Sequence, residues 1–499
     1  MDLLANLSIG FDVAFTLKNL TYCFLGVTLG TLIGVLPGIG PVATIAMLLP
    51  ITFNLPPESA LIMLAGIYYG AQYGGSTSAI LVNMPGEASS VVTAMEGYQM
   101  ARQGRAGAAL SIAAIGSFFA GCVGTLLIAA FAPPLAALAF KFGPPERCSL
   151  YVLGLVAAVV LAHGSLIKAL AMILLGLLLG IIGTDVTSGT QRYTFGISNL
   201  SDGIGFAVVA MGMFGIAEII RSLANVAKRE VFTSNISRLW PSKDDLRASW
   251  KPILRGTGLG SLLGILPGGG AILGSFASYT LEKRLAGSAS NFGKGAIQGV
   301  AGPESANNAA AQTSFIPMLT LGIPSNPVMA LMVGAMIIQG IQPGPQVMTQ
   351  RPELFWGMIV SMWVGNILLV LLNLPLIGIW VRLLKVPYRL LYPAILLFCC
   401  IGVYSLNNNV MDVVLAAVFG LIGYVFLKLD CEPAPLLLAF VLGPMMEEEL
   451  RRSVNTARGD WSVFVTRPLS LSLLLVAAAL LLMVVLPNIR KKREEAFQE

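Results

Sequence analysis

Apolar residues along this chain fall in long unbroken blocks rather than alternating with polar ones. The blocks lie at roughly 107–132, 148–162, 166–183, 206–222, 354–374, 388–404, 410–428, 434–446 and 468–487. Blocks of this kind approach the ~20 residues a helix needs to cross the hydrocarbon layer of a bilayer, and they predict membrane-spanning helices. Two further apolar stretches stop half-way. "GVTLGTLIGVLPGIGP", residues 26–41, breaks on Pro-Gly and again on Gly-Pro, and "GTGLGSLLGILPGGGA", residues 256–271, breaks on Pro-Gly-Gly-Gly. Open backbone is tolerated at membrane depth only where protein or a water-filled cavity shields it, so both breaks predict a polar interior.

The two broken stretches are copies. Gly26/Gly256, Leu29/Leu259, Gly30/Gly260, Leu32/Leu262, Gly34/Gly264, Leu36/Leu266, Pro37/Pro267, Gly38/Gly268 and Gly40/Gly270 agree, nine of sixteen positions. The echo continues from the apolar run ending at Asp185 to the run ending at Asp430, and from "EIIRSL" at Glu218 to "ELRRSV" at Glu449. Each copy holds a broken span, a polar Gly-rich stretch and about four more spans. If the polar stretch is a re-entrant hairpin, each copy crosses an odd number of times and the second is inserted upside down. The expected fold is an all-α polytopic membrane protein of two inverted repeats with broken helices and re-entrant hairpins, about 11–12 spans in all. The expected divisions are a first repeat at 15–223, a basic cytoplasmic linker at 224–255, a second repeat at 256–454, an extra span at 468–487 and a cytoplasmic tail at 488–499.

Chemistry concentrates in two polar stretches. The first, "AGIYYGAQYGGSTSAILVNMPGEASSV" at 65–91, centres on Gly74, Gly75, Ser76, Thr77 and Ser78 and ends at Asn83, Pro85 and Gly86. It reads either as a Gly/Ser turn that lets helices pack closely or as a site of hydroxyl and amide ligands. The second, "GPESANNAAAQTSFIPMLTLGIPSNP" at 302–327, sets Glu304, Asn307 and Asn308 on one face if helical, and its tip at Gly322, Pro324, Ser325 and Asn326 resembles Asn83 to Gly86. Glu304 is either an interfacial carboxylate at a helix N-terminus or an ion-coupling group, since an ionisable side chain inside a membrane is a functional candidate by default. Tyr68, Tyr69 and Tyr73 line a pathway or sit at the interface.

Composition agrees and excludes other classes. The 499 residues are 56% hydrophobic and 11% charged, with mean hydropathy +0.80. The net charge of +6 is carried by topology signals such as Lys228, Arg229, Arg238, Lys243, Arg247, Lys251 and Arg255 and the "IRKKREE" tail; these place the N-terminus outside and the C-terminus in the cytoplasm. No basic domain with interleaved aromatics points to nucleic acid. The N-terminus shows no basic n-region or A-x-A site, so the first apolar segment is expected to stay in the membrane. Six cysteines have no paired or zinc-like spacing, and a single histidine, His163, cannot build a metal site. "GSASNFGKGA" at 287–296 fails the phosphate-loop pattern, and no hydrolase or metalloprotease motif occurs. The chain is therefore expected not to be an enzyme.

The motifs "GTLIGVLPGIGP", "YGGSTSAILVNMPGEASS", "GILPGGGA" and "GPESANNAAAQTSFIPMLTLGIPSNPVMALMVGAM", in this order over roughly residues 15–460, resemble the large membrane subunit of the bacterial tripartite tricarboxylate transporters. The resemblance implies a multi-pass inner-membrane protein that works with a small membrane subunit and a periplasmic substrate-binding protein. It implies secondary import of carboxylates, citrate foremost, on a sodium or proton gradient. Carried onto this sequence, it assigns substrate binding to Gly75, Ser76, Thr77, Ser78, Asn83, Pro85, Gly86, Asn307, Asn308, Gly322, Pro324, Ser325 and Asn326. Ion coupling falls to Gly38, Gly40, Gly268, Gly270 and Glu304, with a bound sodium ion as the one cofactor. An anion channel and, behind it, a membrane enzyme are the competing classes.

Overall fold

The computed structural model describes residues 3–36, 40–162, 165–185, 187–224, 239–266, 270–287, 291–384 and 388–485. Gly38, Gly268, His163, Lys228, Arg229, Arg238 and the basic tail lie outside these. The described residues are helical apart from loops and one two-stranded antiparallel ribbon, Gly183–Thr184 with Gln191–Arg192. The chain is an all-α polytopic membrane protein. Each of the nine apolar blocks is helical over most of its length; the block at 206–222 carries a π-helical segment, Met211–Ile216, between α-helical flanks.

Among the described residues three helices are by themselves long and apolar enough to cross a membrane: Ala106–Ala139, Pro352–Asn373 and Val410–Lys428. Four shorter apolar helices, Pro41–Thr52, Leu166–Gly180, Pro327–Ile338 and Pro468–Leu482, fall below that length. The helix pair Leu3–Ala14 and Leu17–Val35, bent by 79°, brings the number of membrane-crossing candidates to four if it is counted as one span. Ala106–Ala139 has 34 residues, about 51 Å at 1.5 Å per residue, well beyond a ~30 Å hydrocarbon layer. Of the apolar window in Val410–Lys428 only 22% is buried, and Val414, Val418, Leu421 and Val425 stand exposed as a lipid-facing stripe.

Both breaks are present. The helix Leu17–Val35 ends at Leu36 and a new one starts at Pro41; Lys243–Gly264 gives way to Gly270–Ala286. Ser242 caps Lys243–Gly264 in a reciprocal box with Asp245, so residues 243–255 are helical.

The matched glycines have a packing role. A Cβ on Gly26, Gly30 or Gly34 would lie 2.3–2.4 Å from the carbonyl oxygens of Met63, Ile67 and Ala71. One on Gly256, Gly260 or Gly264 would lie 2.2–2.4 Å from those of Gly302, Ala306 and Ala310. Each broken helix therefore lies backbone to backbone on a polar helix, Pro57–Val82 or Gln298–Thr313, an approach that small residues alone permit. The polar helices are the most enclosed part of the molecule: Ser59 to Leu81 and Gly299 to Thr313 are buried throughout.

Each polar helix also packs on a long helix from the other half. Gln298–Thr313 lies on Ala106–Ala139, Pro57–Val82 lies on Pro352–Asn373, and the two long helices touch one another. Further out, Leu166–Gly180 packs on Ala434–Thr456, and Met211–Ile216 on Val410–Lys428. Asp185, at the ribbon, pairs with Arg192 at 2.8 Å and Arg451 at 3.1 Å, and Glu447 bridges the same two arginines. Those ion pairs tie the first half's loop to the second half's Ala434–Thr456.

Candidate functional site

The sequence places a hairpin centre at Gly74–Ser78, but helix Pro57–Val82 runs straight through it. The chain turns later, and the reason is local. Asn83 leaves the helix in the left-handed conformation, φ 53°, and Pro85 two residues on cannot continue it. The second tip repeats this: Gly322 is left-handed at φ 75°, Pro324 follows, and Asn326 then caps the next helix by accepting the Met329 amide at 2.9 Å. Gly86 is wedged between elements, since a Cβ there would fall 2.1 Å from the Gly34 carbonyl oxygen.

Breaks and tips meet at one cavity of about 260 Å³, at the small end for ligand sites and suited to a small organic molecule. Gly40 and Pro41 border it from the first break, Ala271 and Ile272 from the second, Glu87 to Ser89 from the first tip, and Asn326 and Pro327 from the second. Tyr68 and Gln72 on helix Pro57–Val82 supply polar wall, and Phe214 on the π segment supplies apolar wall. The starts of three helices, Pro41–Thr52, Gly270–Ala286 and Pro327–Ile338, border the same space. A helix N-terminus carries roughly half a positive charge. A neighbouring cavity of about 350 Å³ shares Gly40, Glu87 and Phe214 and adds Pro85, Gly86, Glu218 and Arg221.

Among the described lining residues of the first cavity there is no Lys, Arg or His, while Glu87 and Glu432 are present. The Glu87 carboxylate accepts from Asn307 Nδ2 at 3.0 Å and from the Ser89 hydroxyl; Ser89 also lies 3.2 Å from Gln72 Oε1. Asn326 Nδ2 lies 3.5 Å from the Tyr68 hydroxyl, joining the second tip to the first half's polar helix.

Glu304 is fully buried at mid-helix rather than interfacial, and its position beyond the first turn of Gln298–Thr313 removes the helix-start reading. Its carboxylate accepts from the Ser76 hydroxyl at 2.6 Å and from Thr93. Asn308 donates to Ser117 at 2.7 Å and to the Glu304 carbonyl at 3.1 Å. Both halves thus build each polar centre.

Residues 20–438 match the model of the tripartite tricarboxylate transporter TctA family. The chain belongs to the TctA family. It is 61% identical over 499 residues, all of this chain and 99% of the relative, to an uncharacterized 52.8 kDa protein in the TAR-I ttuC' 3'region of Agrobacterium vitis. It is 62% identical over 240 residues, 48% of this chain and 99% of the relative, to an uncharacterized protein in the TAR-II ttuC' 3'region of the same organism. No solved structure matches. TctA membership makes this a multi-pass membrane component of a tripartite transporter, in a family of transporters rather than of enzymes.

Of the TctA residues singled out from sequence, Gly40 and Asn326 border the first cavity, with Gly270 beside Asn326, and Gly40, Pro85 and Gly86 border its neighbour. Ser76, Thr77 and Glu304 gather instead at a separate, smaller cavity. Ser78 donates to the Gly75 carbonyl and Ser325 to the Ser314 carbonyl, while Asn83 and Gly322 shape turns. Gly75 packs against Glu87, where a Cβ would lie 2.9 Å from Cγ. Sequence reasoning passed over Glu87, Gln72, Ser89 and Phe214. Glu87 had a signal, an ionisable residue in the "NMPGEASS" tip, but an acid is not what an anion site is expected to hold.

Proposed function

We propose that this chain is the carrier subunit of a secondary importer of carboxylates, a tricarboxylate such as citrate being the leading cargo, driven by a sodium or proton gradient. One observation carries the reading: both chain breaks and both tips, from the two halves, border a single cavity. In this reading the two repeats are inverted in the bacterial inner membrane, with the N-terminus outside and the C-terminus in the cytoplasm. A periplasmic binding protein delivers cargo, and a small membrane subunit completes the complex.

The cargo carboxylates are held by helix-start amides at Pro41–Thr52, Gly270–Ala286 and Pro327–Ile338 and by Tyr68, Gln72, Ser89 and Asn326. Anions at helix N-termini are stabilised by dipole and free N–H groups together. Glu87 opposes a bare anion in the same wall, and the described lining residues of this cavity include no basic side chain. A co-bound cation or proton restores the balance, which makes symport the economical mechanism. The irregular backbone would then serve as ligand, as in other secondary transporters built from paired repeats.

Uptake of labelled citrate into proteoliposomes holding all three components tests this, with sodium and proton gradients imposed separately. Accumulation driven by one of the gradients is expected. Gradient-independent flux at channel rates would point to a selective pore instead.

A further inference from the structure

We propose that the driving ion is sodium and that it sits in a second cavity, closed off from the cargo site, around Glu304. The inference rests on the carrier reading and adds to it where the ion is held and by which groups. The cavity measures about 20 Å³ and is lined by Tyr73, Ser76, Thr77, Ser117, Glu304 and Asn373, with apolar side chains making up the rest of the lining. That is room for one body the size of a water molecule and little more.

Three observations call for a cation there. Glu304 is 0% exposed and its carboxylate has hydroxyl partners, Ser76, Thr93 and Ser117; no ion pair reaches it among the described residues. A carboxylate taken out of water this far is paired, coordinated or neutralised. The Tyr73 hydroxyl and Asn373 Oδ1, on residues 4% and 5% exposed, are buried without a hydrogen-bond partner and line the same small space. A proton on Glu304 would remove the charge but leave Asn373 Oδ1 unmet. A water molecule would meet Asn373 Oδ1 but bring no charge. A dehydrated sodium ion does both, because it takes carboxylate, hydroxyl and amide oxygens together; hard cations prefer such ligands.

The placement also explains how ion and cargo would be linked. Asn307, one helical turn from Glu304 on Gln298–Thr313, donates to Glu87 in the cargo wall at 3.0 Å. Ser76, which holds Glu304, follows Gly75, whose α-carbon abuts Glu87. An ion that fixes the Glu304 face of both helices therefore fixes Glu87 as well. Linkage then requires that cargo raise sodium affinity by the factor with which sodium raises cargo affinity.

The test is sodium binding to the purified chain without cargo or partner subunits, by radiolabelled sodium and by thermal unfolding in sodium, potassium or choline chloride at matched ionic strength. Saturable binding of one sodium ion and a sodium-specific rise in Tm are expected. Asn373→Leu should weaken sodium affinity roughly tenfold or more, and Glu304→Gln should abolish it. Should the Glu304 variant fail to fold, Asn373→Leu and Ser117→Ala carry the comparison. Equal Tm in all three salts, a Tm that follows pH but not sodium, or unchanged affinity in Asn373→Leu overturns the site. Sodium-driven citrate uptake that persists unaltered in these variants refutes the site and leaves the carrier reading standing. Normal sodium binding with no gradient-driven uptake refutes the carrier reading and leaves the site.

Discussion

Glu96 shows what a buried carboxylate does when it is purely structural. It is fully buried in helix Val91–Arg102 and accepts from the Tyr279 hydroxyl at 2.9 Å, from the Gly295 and Ala296 amides at 2.8 and 2.9 Å, and from the Gly293 amide. The three amide donors belong to the "GSASNFGKGA" stretch, which the sequence shows to be no phosphate loop; they form an anion nest filled by the protein's own side chain. Gly295 sits at φ 97°, which a side chain would resist. Glu96→Gln turns one acceptor into a donor facing donors. It is expected to cost about 1–3 kcal/mol, read as a lower Tm of the solubilised protein with sodium affinity unchanged. Glu304 was legible because an acid in an apolar setting stands out; Asn373 was not, since a single amide inside an apolar helix carries no sign of what it faces.

Helix pairing explains why the repeat could be read and why the centre of the first hairpin was misplaced. The conserved spacing of Gly26, Gly30 and Gly34 in Gly256, Gly260 and Gly264 marks backbone contact, and contact constrains sequence strongly enough to survive in both copies. The same logic applies at Gly74, whose Cβ would fall 2.4 Å from the Thr31 carbonyl oxygen. That glycine serves packing inside a helix, although glycine beside Ser-Thr-Ser resembles a turn. The true turn signal is left-handed residue, spacer, proline, at Asn83 to Pro85 and Gly322 to Pro324. Two changes on one helix separate packing from composition. Gly260→Val puts Cβ 2.2 Å from the Ala306 carbonyl oxygen, whereas Gly258 has nothing within 4 Å. Gly260→Val should lose about 1–3 kcal/mol or more through overpacking and elute as aggregate. Gly258→Ala should match the parent in elution and gain slightly in Tm.

Taken as one body, the chain is two halves that exchange partners: each polar helix lies against the long helix of the other half. Helix class and the two breaks were visible in hydropathy, because lipid exposure and burial both favour apolar blocks. The partner exchange was not visible, because buried and lipid-facing apolar helices have the same composition. The ribbon at Gly183–Arg192 was missed for a different reason, being set by long-range ion pairs of Asp185 and Arg192 with the distant Arg451 and Glu447.

The π segment Met211–Ile216 has a consequence for how this wall tolerates change. A π turn is an α-helix holding one surplus residue, usually retained where it serves a function. Removing one residue between 211 and 216 would regularise the turn while Ala217–Ala224 keeps facing the same way. The same deletion inside Pro352–Asn373 would swing every later side chain by roughly 100°. The shortened protein is thus expected to fold with near-parental Tm and still retain sodium, yet bind citrate weakly, because Phe214 would be displaced from the chamber it helps to close.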